Sequence, residues 1–419
     1  MIVENKIQLS NFIEGYSTED SIVIPIFCDD NKHPVDTDIS LLYVQLMSGK
    51  EFLLPFNHSE TLNIDIPLLK TDTKKYTYDR KKLIHFTELN NVIDVNLLHY
   101  MATNEPLHIE EIDTNAHHFF NMMYYRKNNI NTIIPALKHL EYCRELTKVL
   151  KDTIEKYEEH VNVSYNNDVL DNLTYIEQNG LQMANEVAYS EYNIYTSTGR
   201  PSNRFGGINF AALNKTDGSR KPFVSRFKNG VLVEFDFDGY HLRLIADKVG
   251  YEFSEGSVHE HMAKLYGVDY DEAKGLSFQY LYGFIPDDIA ESIDYFGKVK
   301  DFTNKLWQLY KQENFIKSDI YSREIRGNNF NANKLFNYYI QLLETESNAL
   351  VIKDIRKIMG KYKSKFVLYS YDSFLFDMHI DDGLPLLAEI KEVLERGKYP
   401  VKAAWGNNYD ELTDITEKF

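Results

Sequence analysis

Two apolar segments of this chain each carry an aspartate at the point where a β-strand should end. In LYSYDSFLFDMH, apolar and aromatic residues alternate on both sides of Asp372, which predicts two short strands joined by a tight turn. In VLVEFDF, Asp236 closes a similar alternation, and the following HLRLIADKV predicts a helix. Aspartate is common in turns because its side chain bonds nearby backbone, so each residue alone indicates a turn or a cap. If the two strands pair in one sheet, their carboxylates will meet.

A pair of carboxylates restricts the chemistry of such a site. Two buried carboxylates repel unless a cation lies between them, and ligation by oxygen alone suits magnesium. Two ions bridged by aspartates can polarise an attacking oxygen and stabilise a leaving oxygen during phosphoryl transfer. We therefore consider a phosphoryl-transfer site beside the commoner structural explanation.

Two other segments contain side chains suited to phosphates and bases. In DEAKGLSFQYLYGF, Lys274, Phe278 and Tyr282 share one helix face, and Gly283 can end that helix. This face is either an aromatic core stripe with a solvated lysine, or a surface that neutralises a triphosphate and stacks a base. In TSTGRPSN, small residues around Arg200 let the backbone approach a partner, and arginine can reach phosphates or a minor groove. A plain surface turn explains that segment equally well.

Composition excludes some classes of protein. With 419 residues, of which 43% are hydrophobic and 26% charged, the chain suits a soluble protein of two or more domains. The net charge of −17 excludes a protein that coats nucleic acid through bulk charge, although it permits an enzyme with a locally basic groove. The two cysteines give no disulfide framework, and no apolar run approaches membrane-span length. We therefore expect a cytoplasmic location and no membrane partner.

In their order along the chain, these segments resemble the polymerase region of family A DNA polymerases, the DNA polymerase I type. TSTGRPSN, EFDFDGYHLR and AKGLSFQYLYG are similar to the family's T-x-T-G-R-x-S, D-Y-S-x-x-E-L-R and K-x-x-x-F-x-x-x-Y-G motifs. FNYYIQ is similar to its N-x-x-x-Q segment, YSYDSFLF to its H-D-E hairpin, and GNNYDEL to its closing G-x-N-W/Y-D. The resemblance covers residues 135–419.

The resemblance implies an α+β right-hand polymerase fold with an antiparallel palm sheet, helical fingers and a short helical thumb. An α/β exonuclease-like (RNase H-like) domain would precede it. The predicted division is 1–130 for a degenerate 3′–5′ exonuclease-like domain, 131–195 for a short thumb and the lead-in to the palm, 196–250 for the first palm part, 251–335 for the fingers and 336–419 for the second palm part. The compact size suggests a phage-like form, located in a bacterial or phage-infected cytoplasm.

By the same resemblance, the chain would be a template-directed DNA polymerase that adds dNMP to a primer 3′-hydroxyl by two-metal phosphoryl transfer. Asp236 and Asp372 would be catalytic and, with the carbonyl of Phe237, would hold two Mg²⁺ ions, or Mn²⁺ in their place. The implied dNTP-binding residues are Phe237, His241, Lys274, Phe278 and Tyr282. The implied DNA-binding residues are Arg200, Asn209, Arg243, Asn337, Gln341 and Tyr371. The expected partners are primer–template DNA and dNTPs, with a processivity or replisome protein as a further candidate.

Several positions depart from the family's pattern. His241 stands where the family has a Glu that crowds the 2′ position of the sugar, and our hypothesis is that His241 still acts as a steric block. Tyr371 and Ser373 replace the His and the second acid of the hairpin, and Tyr270 stands where an Arg is expected. The chain between Asp236 and Lys274 is short for the family, which predicts trimmed fingers.

The first 130 residues predict an exonuclease-like domain that has lost its function. IVIPIF falls where that fold carries a D-x-E pair, so that Pro25 and Phe27 replace the acids. Asp79 and Asp94 stand at plausible places, but YYRKN at 124–128 lacks the final acid of a Y-x-x-x-D pattern. Without paired acids two metals cannot be held, so we predict no proofreading.

Two alternatives stay open. One is a gap-filling or lesion-tolerant polymerase with relaxed sugar selection, which His241 and the reduced fingers suggest. The other is a catalytically weak scaffold that binds primer–template without extending it. The presence of both palm aspartates and of the Lys274 helix face weighs against the scaffold.

Overall fold

The computed structural model describes residues 2–27, 33–37, 39–56, 69–87, 89–109, 133–203, 208–215, 217–254, 256–327 and 329–418. The chain forms two compact units, Met1–Thr174 and Tyr175–Phe419. The finer five-part division of the sequence remains a prediction. In the described part of the chain, no helix combines the length and the apolar character that a membrane crossing requires.

The first unit contains a five-stranded mixed sheet. Its second strand pairs antiparallel with the first, and the fourth strand pairs parallel with the first on the other side. The order is β3-β2-β1-β4-β5. The strands are β1 (Ser21–Phe27), β2 (Ile39–Leu46), β3 (Glu51–Pro55), β4 (Lys75–Thr77) and β5 (Val92–Asp94). The apolar segments SIVIPIF, ISLLYVQL and EFLLP thus form three successive strands.

Helices in this unit lie against the sheet through their apolar faces. One long amphipathic helix covers residues 133–157, and its Leu140, Leu146 and Leu150 are buried in one cluster with Ile24 and Tyr43 of the sheet. Apolar residues at helical spacing form such a face because they recur on one side of the helix. The helices are α1 (Lys6–Tyr16), α2 (Arg80–Ile84), α3 (Val95–Thr103), α4 (Ile133–Tyr157) and α5 (Val163–Asn179), the last of which continues into the second unit.

The two acids of the predicted exonuclease remnant serve as helix caps. Asp79 accepts a hydrogen bond from the backbone N–H of Lys82 at the start of α2, at 3.0 Å. Asp94 accepts one from Leu97 at the start of α3, at 2.8 Å. Capping satisfies backbone donors that a helix start leaves free. The segment 124–128 lies outside the described residues.

The second unit contains a five-stranded antiparallel sheet in the order β13-β14-β10-β15-β16. Its strands are β10 (Val231–Phe237), β13 (Lys365–Ser370), β14 (Ser373–Met378), β15 (Val401–Gly406) and β16 (Thr413–Asp414). Three two-stranded ribbons accompany it: β6 (Leu181–Gln182) with β7 (Val187–Ala188), β8 (Tyr192–Asn193) with β9 (Ser202–Asn203), and β11 (Ile316–Lys317) with β12 (Glu324–Ile325).

The helices of the second unit are α6 (Tyr240–Val249), α7 (Val258–Tyr266), α8 (Tyr270–Tyr282), α9 (Asp287–Ser292), α10 (Asp294–Glu313), α11 (Ala332–Met359) and α12 (Gly383–Glu395). Gly239 permits the sharp turn from β10 into α6, because its φ of 58° is one that other residues rarely adopt. A Cβ at that position would also lie 3.1 Å from Val258.

One face of the central sheet carries packed aromatic side chains. Phe235 packs edge-to-face on Phe376, and Phe237 packs in the same way on Phe374. Side chains alternate along a strand, so Asp236 projects from the opposite face. The alternation seen in the sequence therefore places that acid on the side away from the aromatic core.

Candidate active site

The hairpin that carries Asp372 has a two-residue turn. Ser370 pairs with Ser373, and Tyr371 between them has a φ of 61°. Glycine is usual at such a position, because a side chain there is strained. Tyr371 is held by two contacts: its carbonyl accepts a hydrogen bond from Asn348 Nδ2 at 2.8 Å, and the Arg200 guanidinium lies 3.7 Å from its ring centre. Tertiary contacts thus stabilise the turn predicted from the sequence.

Asp236 lies near the end of β10, and Asp372 lies in the turn that leads into the adjacent strand β14. Asp236 is the register partner of Ser373, and the N–H of Phe237 donates to the carbonyl of Asp372 at 3.1 Å. Burial, together with the nearby carboxylates of Asp372 and Glu234, raises the pKa of Asp236 to about 7. Burial also raises the pKa of Asp372, with the charge of Glu344 as the next contribution. The structure thus brings together the two acids that are far apart in sequence.

The carboxylate pair suits a divalent cation. Lys215 and Lys274 lower the pKa of Asp236, but burial and the neighbouring acids outweigh them. A bound cation would remove this repulsion. Within the described residues, no three His, Cys, Asp or Glu side chains form a group that could hold a metal. Two carboxylates and a backbone carbonyl would therefore leave other coordination positions to water and substrate oxygens, which is usual for Mg²⁺.

Helix α8 presents the predicted cation and aromatic rings. Lys274 is exposed, and the rings of Phe278 and Tyr282 stack with centroids 5.7 Å apart and planes inclined by 8°. Gly283 ends the helix, as predicted. Asn337 on α11 donates from Nδ2 to the carbonyl of Tyr282 at 2.8 Å, which joins the end of α8 to α11.

A buried carboxylate that the sequence analysis missed lies beside this helix end. Glu344 Oε2 lies 2.8 Å from Nε of Arg200 and 3.2 Å from Nε2 of His241. On its other side, His241 places Nδ1 2.6 Å from the hydroxyl of Tyr282. Although burial alone would raise the pKa of Glu344, His241 and Arg200 hold it below its usual value. The available signal was an acid directly after the apolar pair Leu342 and Leu343.

The other predicted DNA-binding residues occupy different surroundings. Gln341 accepts a hydrogen bond from the hydroxyl of Thr198 at 3.1 Å, so the TSTGRPSN segment contacts α11. Arg243 donates to the Asp238 carbonyl at 3.0 Å and to the Gly256 carbonyl at 2.8 Å, which supports the turn around α6. Asn209 lies exposed at the start of a short 3-10 helix. Contact of these residues with DNA remains a prediction.

Two positions that depart from the family's pattern have new neighbours. The hydroxyl of Ser373 donates to Glu234 Oε1 at 2.8 Å, so a carboxylate from β10 lies beside the position where the family has its second hairpin acid. Lys402 Nζ lies 3.3 Å from the hydroxyl of Tyr270, which stands where an Arg was expected. An acid therefore lies near position 373, supplied by β10, and a cation lies near position 270, supplied by β15.

Comparisons with known proteins show a likeness in structure and none in sequence. No protein-family model matches the chain. No curated protein matches it by sequence. Among solved structures, the POL domain of Pol1 from M. smegmatis, in complex with DNA primer-template and dNTP, superposes with a TM-score of 0.73. The match covers 98% of this chain and 99% of that chain at 12% sequence identity.

The fold is similar to that of a DNA polymerase domain. The expected mixture of helices with an antiparallel sheet is therefore confirmed. The exonuclease-like character of the first unit is not tested by this likeness and stays a prediction.

Proposed function

We propose that this chain is a template-directed DNA polymerase that adds dNMP to a primer 3′-hydroxyl. The observation that carries the proposal is that Asp236 at the end of β10 and Asp372 in the turn before the adjacent β14 are buried near each other, with raised pKa values. Among the described residues, the cations that act on Asp236, Lys215 and Lys274, do not offset the rise of its pKa. The likeness of the fold to a polymerase domain solved with primer-template and dNTP supports it.

In this proposal, Asp236, Asp372 and the carbonyl of Phe237 would hold two Mg²⁺ ions, or Mn²⁺. When bound, such ions neutralise phosphate charge and make the attacking hydroxyl more acidic. Lys274, which is exposed on α8, would bind the triphosphate as a cation. The parallel rings of Phe278 and Tyr282 offer a stacking surface for the base.

The remaining residues would bind and orient the primer–template. Arg200 and Tyr371 form one stacked pair beside Asp372, and Gln341 lies next to Thr198 of the same segment as Arg200. We propose that this group contacts the primer end, with Asn337, Asn209 and Arg243 as further DNA contacts. Catalysis would then depend mainly on positioning and charge neutralisation.

Primer extension by wild type and Asp372→Asn tests the function. With Mg²⁺ and dNTPs, we expect the wild type to extend a labelled primer and the variant to lose about 10³-fold in rate, because a metal ligand supplies several kcal/mol of transition-state stabilisation. Asn is also a good turn residue, so the variant should fold and bind primer–template as the wild type does. Binding without any extension in the wild type would contradict the proposal and favour the scaffold.

We also propose that the first unit does not proofread. Pro25 and Phe27 lie within β1 in place of acids, and the carboxylates of Asp79 and Asp94 cap helices. A 5′-labelled primer incubated with Mg²⁺ and no dNTPs should therefore keep its length. Shortening of the primer that disappears in Asp79→Ala would contradict this.

A further inference from the structure

We propose that Glu344 is a positioning residue that orients both His241 and Arg200, and through them the nucleotide-binding end of α8 and the Asp372 hairpin. This inference rests on the proposed polymerase function. It concerns a side chain on α11, 1% exposed, that no sequence motif singled out.

The carboxylate of Glu344 is shared between two nitrogen-bearing side chains. Arg200 Nε lies 2.8 Å from Oε2, as an ion-pair contact that is not aligned as a hydrogen bond, and a terminal nitrogen of Arg200 donates to Oε1 at 3.3 Å. His241 Nε2 lies 3.2 Å from the same Oε2, as an ion-pair contact that is not aligned as a hydrogen bond. Such contacts are often poorly aligned without substrate and tighten in the complex. A buried carboxylate needs partners of this kind to offset its lost hydration.

Towards α8, Glu344 determines which nitrogen of His241 carries a proton. A carboxylate beside Nε2 favours a proton on that atom. In the neutral ring Nδ1 is then an acceptor, and it lies 2.6 Å from the hydroxyl of Tyr282, which can donate to it. The His241 ring is thereby held in one orientation, as a carboxylate holds a histidine in other active sites. Tyr282 also stacks on Phe278. The orientation of the His241 ring therefore affects the position of the proposed base-binding surface.

Towards the hairpin, Glu344 holds the guanidinium that lies over Tyr371. The Arg200 guanidinium is 3.7 Å from the ring centre of Tyr371, which precedes Asp372 directly. Two of the proposed functions, selection of the nucleotide and placement of the primer end, therefore share one carboxylate. Glutamine at position 344 would keep the shape of the side chain. Its NH₂ group, however, would face either Arg200 or His241, and both of these side chains are themselves donors.

Glu344→Gln and the control Glu346→Gln, assayed above the pKa of about 7 to which burial raises Glu346, separate positioning from a loss of buried charge. Glu346 lies on the same helix, is fully buried, and accepts from the backbone N–H of Tyr321 at 3.2 Å. We would measure kcat and KM for dNTPs and rNTPs on one primer–template. We expect Glu344→Gln to raise KM for dNTP about tenfold and to lower the dNTP-over-rNTP preference about tenfold, the loss of one charged contact. Glu346→Gln should leave both within about twofold.

A double variant tests the route through His241. If Glu344 acts on sugar selection by orienting His241, the preference lost in Glu344→Gln and in His241→Ala will not add in the double variant. Tyr282→Phe removes the hydroxyl that contacts His241 Nδ1 and leaves the buried charges in place. It should also lower the dNTP-over-rNTP preference, and it replaces Glu344→Gln in the test if that variant does not fold.

The outcomes separate the two proposals. A wild type that does not extend primers overturns the polymerase function, and this inference with it. A wild type that extends primers, with Glu344→Gln equal to Glu346→Gln in KM and in sugar preference, overturns the positioning role alone. Full additivity of Glu344→Gln and His241→Ala also overturns it.

Discussion

Asp236→Asn is expected to stabilise the metal-free protein above pH 7 and to reduce primer extension about 10³-fold. Burial and the charges of Asp372 and Glu234 raise the pKa of Asp236 to about 7 in the folded chain, whereas an aspartate in an unfolded chain titrates near about 3.9. Between these pH values the folded state binds more protons, so its free energy of unfolding falls as pH rises and stays low above pH 7. Asparagine carries no charge and removes this penalty.

Unfolding by urea in EDTA measures the effect. The variant should match the wild type near pH 4 and exceed it at pH 8 by on the order of 2 kcal/mol, since one pKa unit corresponds to about 1.4 kcal/mol and partial exposure weakens the interaction. Added Mg²⁺ should stabilise the wild type more at pH 8 than at pH 5, and the variant less at either pH. A variant less stable than the wild type at pH 8 would show that Asp236 is stabilised by the fold.

Asp377→Asn is expected to act in the opposite direction on stability, although this acid lies on the neighbouring strand of the same sheet. Asp377 is fully buried, and its Oδ2 accepts from the backbone N–H of Arg226 at 3.0 Å and from Arg226 Nε at 2.9 Å. The same guanidinium donates to the carbonyls of Asn179 and Gly180 at 2.8 and 2.6 Å. Removing one partner of a buried ion pair leaves the other charge uncompensated.

We expect Asp377→Asn to lower the free energy of unfolding by about 3 kcal/mol at pH 7, the lower end for a broken buried pair because Arg226 keeps its two carbonyl partners. Asp381→Asn is the matched control, since its pair with Lys363 is about 60% exposed on both sides. Water screens an exposed pair, so Asp381→Asn should leave the free energy of unfolding nearly unchanged. Equal effects of the two substitutions would mean that Asp377 does not anchor the segment around Arg226.

Local patterns were sufficient to predict several elements of the second unit. Alternation around Asp372 predicted the hairpin that β13 and β14 form, and Gly283 ends α8 where the motif placed it. Both depend on the neighbours of a residue along the chain. Glu344 could not be assigned in this way, because its role depends on two partners from other segments, Arg200 and His241.

The caps of the first unit show the same limit. In sequence, Asp79 and Asp94 fit the acids of an exonuclease pattern, and the structure adds that each caps the helix that follows it. Capping depends on the backbone conformation around each acid, which the sequence pattern did not indicate.

By itself, the sequence determined the alternation of the strands that end near Asp236 and Asp372, the end of α8 at Gly283, and which side chains of α8 share a face, because these follow from short-range periodicity and steric preference. Tertiary structure alone decided that β10 lies beside β14, which makes neighbours of Asp236 and Asp372, and that a non-glycine residue can occupy the left-handed turn at position 371. Both features depend on contacts between segments that are distant in the chain. The contacts of Arg200 and Asn348 with Tyr371, for example, offset the strain of its backbone. The same long-range packing buries the two carboxylates side by side, and this proximity is the physical basis of the proposed chemistry.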